Sequence, residues 1–163
     1  MSTPPKVKKI YRDYDFGIAN RGINLPNPIS AGDVANKAYV DVYNTTFFVA
    51  STTNTTTASV TDVVVTGMTL TMSNAGNFIV MFNCNSSNSA NQAQNTFSVY
   101  VNGVLVVDTV RFTTMSPANA HMSFTLITKV TGVLAAQVVD IRWKTNNPTA
   151  TVYNRSLNLI PVI

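Results

Sequence analysis

The chain holds a single histidine, His121, and a single cysteine, Cys84, so nucleophile–base chemistry would have to come from that one pair. Such a pair needs a third group to orient the base and a cleft for substrate, and no local motif accompanies either residue. Cys84 lies in the apolar run "NFIVMFNC", where it reads more simply as a small buried hydrophobe. Asp13 and Asp15 flank Tyr14 and offer two carboxylates to a cation. A full oxygen site needs more ligands, and Lys9 or Arg12 would neutralise the pair instead. Gly17 and Gly22 lack the spacing and the strand–helix context of a phosphate-cradling loop. These residues predict no catalysis, no metal and no cofactor. What remains is amide chemistry. The run "NSSNSANQAQN" carries Asn85, Asn88, Asn91, Gln92 and Gln94, groups that hydrogen-bond to the hydroxyls of a receptor or glycan, or equally form a solvated turn. The same two readings apply to "ASTTNTTTAS" at positions 50–59.

The elements that must position these groups are β-strands. Among 163 residues only 11% are charged, and every acid is one of seven aspartates, with no glutamate. Helix surfaces normally carry Glu and Lys, whereas Thr, Val and Asn populate sheets and their turns. The composition therefore predicts an all-β class. So few surface charges also predict that other protein covers part of the surface. The net charge of +4 is scattered apart from Lys6, Lys8, Lys9 and Arg12, so no basic stripe with interleaved aromatics points to nucleic acid. No apolar run approaches the roughly 18 residues that would span a membrane. The N-terminal "MSTPPKVKKIYRDYD" lacks the apolar core of a signal peptide, which predicts synthesis in the cytoplasm. Asn-x-Ser/Thr matches at Asn44, Asn54, Asn85 and Asn154 then read as chance in an Asn- and Thr-rich chain.

Three parts follow from the patterning. Residues 1–29 carry Pro4, Pro5, Gly17, Gly22, Pro26 and Pro28 as punctuation, yet Tyr11, Tyr14, Phe16, Ile18, Ile23 and Leu25 roughly alternate with polar groups. This predicts an extended arm lying on another surface, with Lys6, Lys8, Lys9, Ile10, Tyr11, Arg12, Tyr14 and Phe16 as anchoring residues. Residues 30–45 predict one short helix. Ser30 is an N-cap, and Asp33 completes a capping-box variant that also suits the helix dipole. Ala31, Val34, Ala35, Ala38, Tyr39 and Val42 then form one apolar stripe. So short a helix is marginal alone, so it packs on identical copies or on its own β domain.

Residues 46–163 predict short strands at Phe47–Ser51, Val60–Val65, Met68–Met72, Phe78–Asn83, Thr96–Val101, Leu105–Phe112, His121–Lys129, Gln137–Lys144 and Ala150–Ile160. Asn102-Gly103 between two β-runs is a two-residue hairpin signal. Strands of this number and spacing form an antiparallel sandwich or barrel. The segment Phe78-Ile79-Val80-Met81-Phe82 is apolar on both faces, although one face of a sandwich strand in a lone monomer should meet water. A neighbouring copy is the economical second cover. Phe78, Val80, Phe82 and Leu159, together with Val34, Ala38 and Val42 of the helix, are therefore expected at a subunit interface.

One stretch points further. "RGINLPNPISAGDVANKAYVD" resembles the collar of bacteriophage fibre proteins, in which an extended Asn-Leu-Pro-x-Pro segment enters a helix ending in Lys-Ala-Tyr-Val-Asp. The shared positions are Asn24, Leu25, Pro26, Pro28, Ala31, Asp33, Ala35, Lys37, Ala38, Tyr39, Val40 and Asp41. The segments "VTGMTLTMSNAGNFIVMFN", "VYVNGV" and "YNRSLNLIPV" are similar to the small trimeric jelly rolls, shaped like tumour-necrosis-factor and C1q heads, that cap such fibres. The resemblance implies a homotrimeric jelly-roll head beneath three axial helices, in a structural protein of the virion. Shaft repeats, usual in long tail fibres, are missing between arm and collar. A short head fibre or spike on the capsid fits that pattern better, with the receptor- or glycan-binding tip of a tail fibre as the alternative.

Overall fold

The computed structural model describes residues 46–162. The expected arm and collar helix, including Val34, Ala38, Val42 and the eight anchoring residues, lie outside the described residues.

The described part is all-β, in two antiparallel five-stranded sheets. The strands are β1 (Phe47–Ser51), β2 (Thr55–Thr57), β3 (Val63–Thr71), β4 (Gly76–Asn88), β5 (Gln94–Val101), β6 (Val104–Leu105), β7 (Arg111–Thr114), β8 (Met122–Val133), β9 (Val138–Thr145) and β10 (Ala150–Val162). The first sheet runs β1-β10-β4-β8, with β2 added beside β10. The second runs β3-β9-β5, and both β6 and β7 pair with β5. Each sheet has strands that are distant in sequence as neighbours, so nearly all of the pairing is non-local.

Alternation builds the core between the sheets. Val139, Ile141 and Trp143 point inward from β9, Phe97 and Val99 from β5, and Phe78, Val80, Phe82 and Cys84 from β4. Phe97 is the hub. Its ring stacks 6.0 Å from Trp143 and lies 4.6 Å from Phe124 and 5.6 Å from Phe82, centroid to centroid. Each such ring, buried from water, contributes roughly 1.5–3 kcal/mol by transfer alone.

The observed strands differ from the expected ones where backbone geometry intervenes. Parts of the two expected strands Val60–Val65 and Met68–Met72 join in one strand, β3, interrupted by a register shift between Val64 and Thr69. Gly67 accommodates that irregularity at φ 78°, a conformation that favours glycine. Leu105–Phe112 is not one strand. The hairpin at Asn102 (φ 49°) and Gly103 (φ 80°) forms as expected, but the chain leaves the sheet after Leu105. Thr109 hooks it down, its buried hydroxyl donating to the Val106 carbonyl at 2.8 Å and accepting from the Val99 amide at 3.1 Å. The chain then rejoins β5 as β7.

The two-sided strand is real, but the residues expected at a subunit interface face the wrong way. Phe78, Val80, Phe82 and Leu159 are 2%, 0%, 0% and 0% exposed within a single chain. They fill the sandwich core and cannot meet a neighbour. The opposite face of β4 carries Ile79 and Met81, both half-buried.

Candidate functional site

The Cys84–His121 pair does not assemble. Cys84 faces the core, where burial pushes its thiol up to about 12 against an opposing pull from the Arg155 charge. His121 is exposed just before β8, and its ring meets Tyr153 at 4.7 Å between centroids. Among the described residues no three His, Cys, Asp or Glu side chains converge as metal ligands.

The amide-rich run is not a loop. It forms the end of β4 and the start of β5, joined by a short turn. Asn88, expected to meet a receptor, is fully buried. Its side-chain nitrogen donates to Asn95 Oδ1 at 2.9 Å and to Thr145 Oγ1 at 2.8 Å, and its Oδ1 accepts from the Ala90 amide at 3.0 Å. Asn95 in turn donates to Ser86 Oγ at 2.7 Å and to the Ser87 carbonyl at 2.9 Å. Asn85 accepts from the Ser123 hydroxyl at 3.0 Å. These amides hold one end of the sandwich together. Of the five expected contact residues, Asn91 and Gln92 are exposed on the turn, and Gln94 is half-buried on β5.

Gln94 opens onto a site that the amide run alone does not indicate. The outer face of the second sheet is polar because β9 reads Val-Val-Asp-Ile-Arg-Trp-Lys, placing Asp140, Arg142 and Lys144 opposite the core residues. Arg142 donates from Nε to Asp140 Oδ1 at 2.8 Å, and its guanidinium lies 4.2 Å from the centre of the Tyr100 ring. That hydrogen bond to Asp140 raises the Arg142 pKa above the usual arginine value. The Tyr100 hydroxyl donates to Asp62 Oδ2 at 2.7 Å, which raises the phenol's pKa above its usual value. The Lys144 ammonium stands 3.4 Å from Asp62 Oδ1, an ion-pair distance without hydrogen-bond geometry. Ser98, register partner of Arg142, is buried with its hydroxyl unpaired among the described residues.

Beyond this network lies a bowl of about 390 Å³ lined by Val60, Gln94, Thr96, Lys144, Thr145 and Asn146. Its rim is stitched: the Gln94 amide donates to Asn146 Oδ1 at 2.7 Å, and the Asn146 amide donates to the Gln94 carbonyl at 3.2 Å. Phe112, 62% exposed, is the register partner of Thr96 on the adjoining strand β7.

Two further features expose apolar side chains among polar ones. A groove of about 470 Å³ separates the edges β7 and β8, lined in part by Arg111, Phe112, Phe124, Leu126 and Ile127. The outer face of the first sheet carries the row Ile127–Met81–Asn158–Phe48 across four strands, beside a second row of Lys129, Ile79 and Ile160. Phe48, Ile127 and Ile160 are all exposed there. The next rows are polar, with the Thr125 hydroxyl donating to Asn83 Oδ1 at 2.8 Å.

No protein-family model matches the chain, and no curated protein matches its sequence.

Proposed function

We propose that this protein is a non-enzymatic structural protein of a phage virion, a homotrimeric head fibre or spike. In this reading residues 1–29 attach to the capsid or another virion protein, residues 30–45 form the trimer collar, and the sandwich is a jelly-roll head. The collar resemblance over residues 21–41 supports the attachment and the symmetry. The facing strand orders β1-β10-β4-β8 and β3-β9-β5-β7 support the jelly roll, which joins eight strands in two sheets. The observation that carries the oligomer is the cluster of Phe48, Ile79, Met81, Ile127 and Ile160 on the outer face of the first sheet, interrupted only by Asn158 and edged by Lys129.

A threefold ring is heterologous, so each copy must present two different surfaces that fit one another. The apolar face and the β7–β8 groove are two such surfaces, and Ile127 belongs to both. Light scattering of the full chain tests the assembly. A trimer has about 53 kDa, three times the 17.6 kDa chain; a stable single-chain species defeats it. Binding of purified protein to virions, lost on deletion of residues 1–20, tests the attachment. The second reading, a receptor- or glycan-binding tip of a tail fibre, rests on the polar bowl around Gln94 and Lys144.

A further inference from the structure

We infer that the bowl on the outer face of the second sheet binds an uncharged saccharide, with Gln94, Thr96, Lys144 and Asn146 meeting sugar hydroxyls and Phe112 meeting a sugar ring face. This rests on the second reading, to which it gives a site and a ligand class.

Hydrogen-bonding capacity comes first. The Asn146 side-chain oxygen is used by the Gln94 amide, which leaves its NH₂ group to donate outward. The same bond, with its return partner between the two backbones, fixes the Asn146 side chain, so that amide is ordered before a ligand arrives. The Gln94 side-chain amide and the Thr96 hydroxyl have no partner among the described residues and can each donate and accept. Lys144 is held at one side by Asp62, itself fixed by the Tyr100 hydroxyl, and retains further N–H donors.

Charge selects against acids. Lys144 faces Asp62 and Arg142 faces Asp140, so the two cations of this face are balanced by two carboxylates. A phosphate or nucleic-acid backbone needs uncompensated cations, and this face has none among the described residues. A peptide strand is excluded on other grounds. β5 lies between β9 and β7 beneath the bowl, so its backbone groups are already paired and only side chains face outward.

Apolar contact completes the set. Phe112 stands beside Thr96, and Val60, 72% exposed, forms part of the wall. Exposed aromatic and aliphatic carbon next to amides, a hydroxyl and an ammonium matches a ring with one C–H face and a hydroxyl rim. The volume lies at the small end of the roughly 300–1,000 Å³ range of ligand sites, which suits a short saccharide.

The test is a ¹H–¹⁵N NMR titration of the full chain with the methyl glycosides of glucose, galactose, N-acetylglucosamine and N-acetylgalactosamine, and with methyl glucuronide. At least one neutral glycoside is expected to move the side-chain amide signals of Gln94 and Asn146. Gln94→Ala and Phe112→Ala are each expected to weaken that binding about tenfold, the loss of a single good contact, with the rest of the spectrum unchanged. Binding by the glucuronide alone, shifts confined to other residues, or no shift with any neutral glycoside overturns the proposal. So does retained affinity in both variants.

Discussion

Arg155 holds the Thr66 carbonyl in a two-pronged grip, donating from Nε at 2.9 Å and from Nη2 at 2.7 Å, while Nη1 donates to the Thr53 carbonyl. The side chain rises from β10, in the first sheet, where the register with β4 shifts between Tyr153 and Ser156. It reaches β3 in the second sheet and the turn between β1 and β2. Arg155, a residue only 3% exposed, is thus satisfied by backbone oxygens, and burial lowers its pKa below the usual arginine value. Arg155→Met is expected to cost roughly 2 kcal/mol, because carbonyls lose charge-assisted partners while one buried charge is relieved. Arg155→Lys should cost a similar amount, since an ammonium cannot reproduce the planar fork. Urea unfolding followed by Trp143 fluorescence gives both values.

Cys84 sets a stability limit at high pH. Its thiol has a folded value of about 12 against 9.0 for the free group. A raised folded value means that the neutral thiol's contribution is complete below pH 9 and is lost as pH climbs toward 12. Over that interval the chain should lose up to about 1.4 kcal/mol of stability per pH unit from this group. Cys84→Ala should flatten that slope while lowering stability at neutral pH. The slope will not vanish, because the Tyr100 phenol is also shifted upward by its bond to Asp62. Alkylation by iodoacetamide gives a second reading: native Cys84 should react only at the rate of unfolding.

The buried amides can be separated from the exposed ones in the same run of sequence. Asn88→Ala leaves Asn95 Oδ1 and Thr145 Oγ1 without their common donor in a buried site, at a cost of roughly 1–3 kcal/mol. Asn91→Ala, three residues away on the exposed turn, should change stability by no more than about 0.5 kcal/mol. Equal effects in thermal unfolding would contradict this division.

That division also marks how far the sequence could be read. Strand positions followed from β-rich composition and turn signals, and Asn102-Gly103 located its hairpin because few other residues adopt positive φ twice in succession. Within the polar segment Asn85–Asn95 the exposed turn at Asn91 and Gln92 fits its composition, whereas buried Asn88 does not, because polarity resembles exposure. Asn88 donates to Asn95 Oδ1 and to Thr145 Oγ1, and the second partner lies far along the chain on β9, a pairing that no local pattern reveals. The bowl left only a faint trace, the alternation of Asp140, Arg142 and Lys144 along β9. Its other members come from β5 and from the segments beside β3 and β9, so only the sheet order brings them together.

The two faces of β4 give the last prediction. Phe82 and Met81 are adjacent, yet Phe82 lies in the core against Phe97 and Phe124, while Met81 sits between Ile127 and Asn158 on the outer face. Phe82→Ala should destabilise each chain by about 3–5 kcal/mol through the cavity it leaves. Met81→Glu combined with Ile127→Glu should leave the isolated chain folded, because the outer face of a lone sandwich is open to water. In a trimer closed over that face, the same pair buries unpaired charge and should shift the scattering mass from about 53 kDa toward 17.6 kDa. If the double variant keeps the mass of the wild type, the copies meet elsewhere.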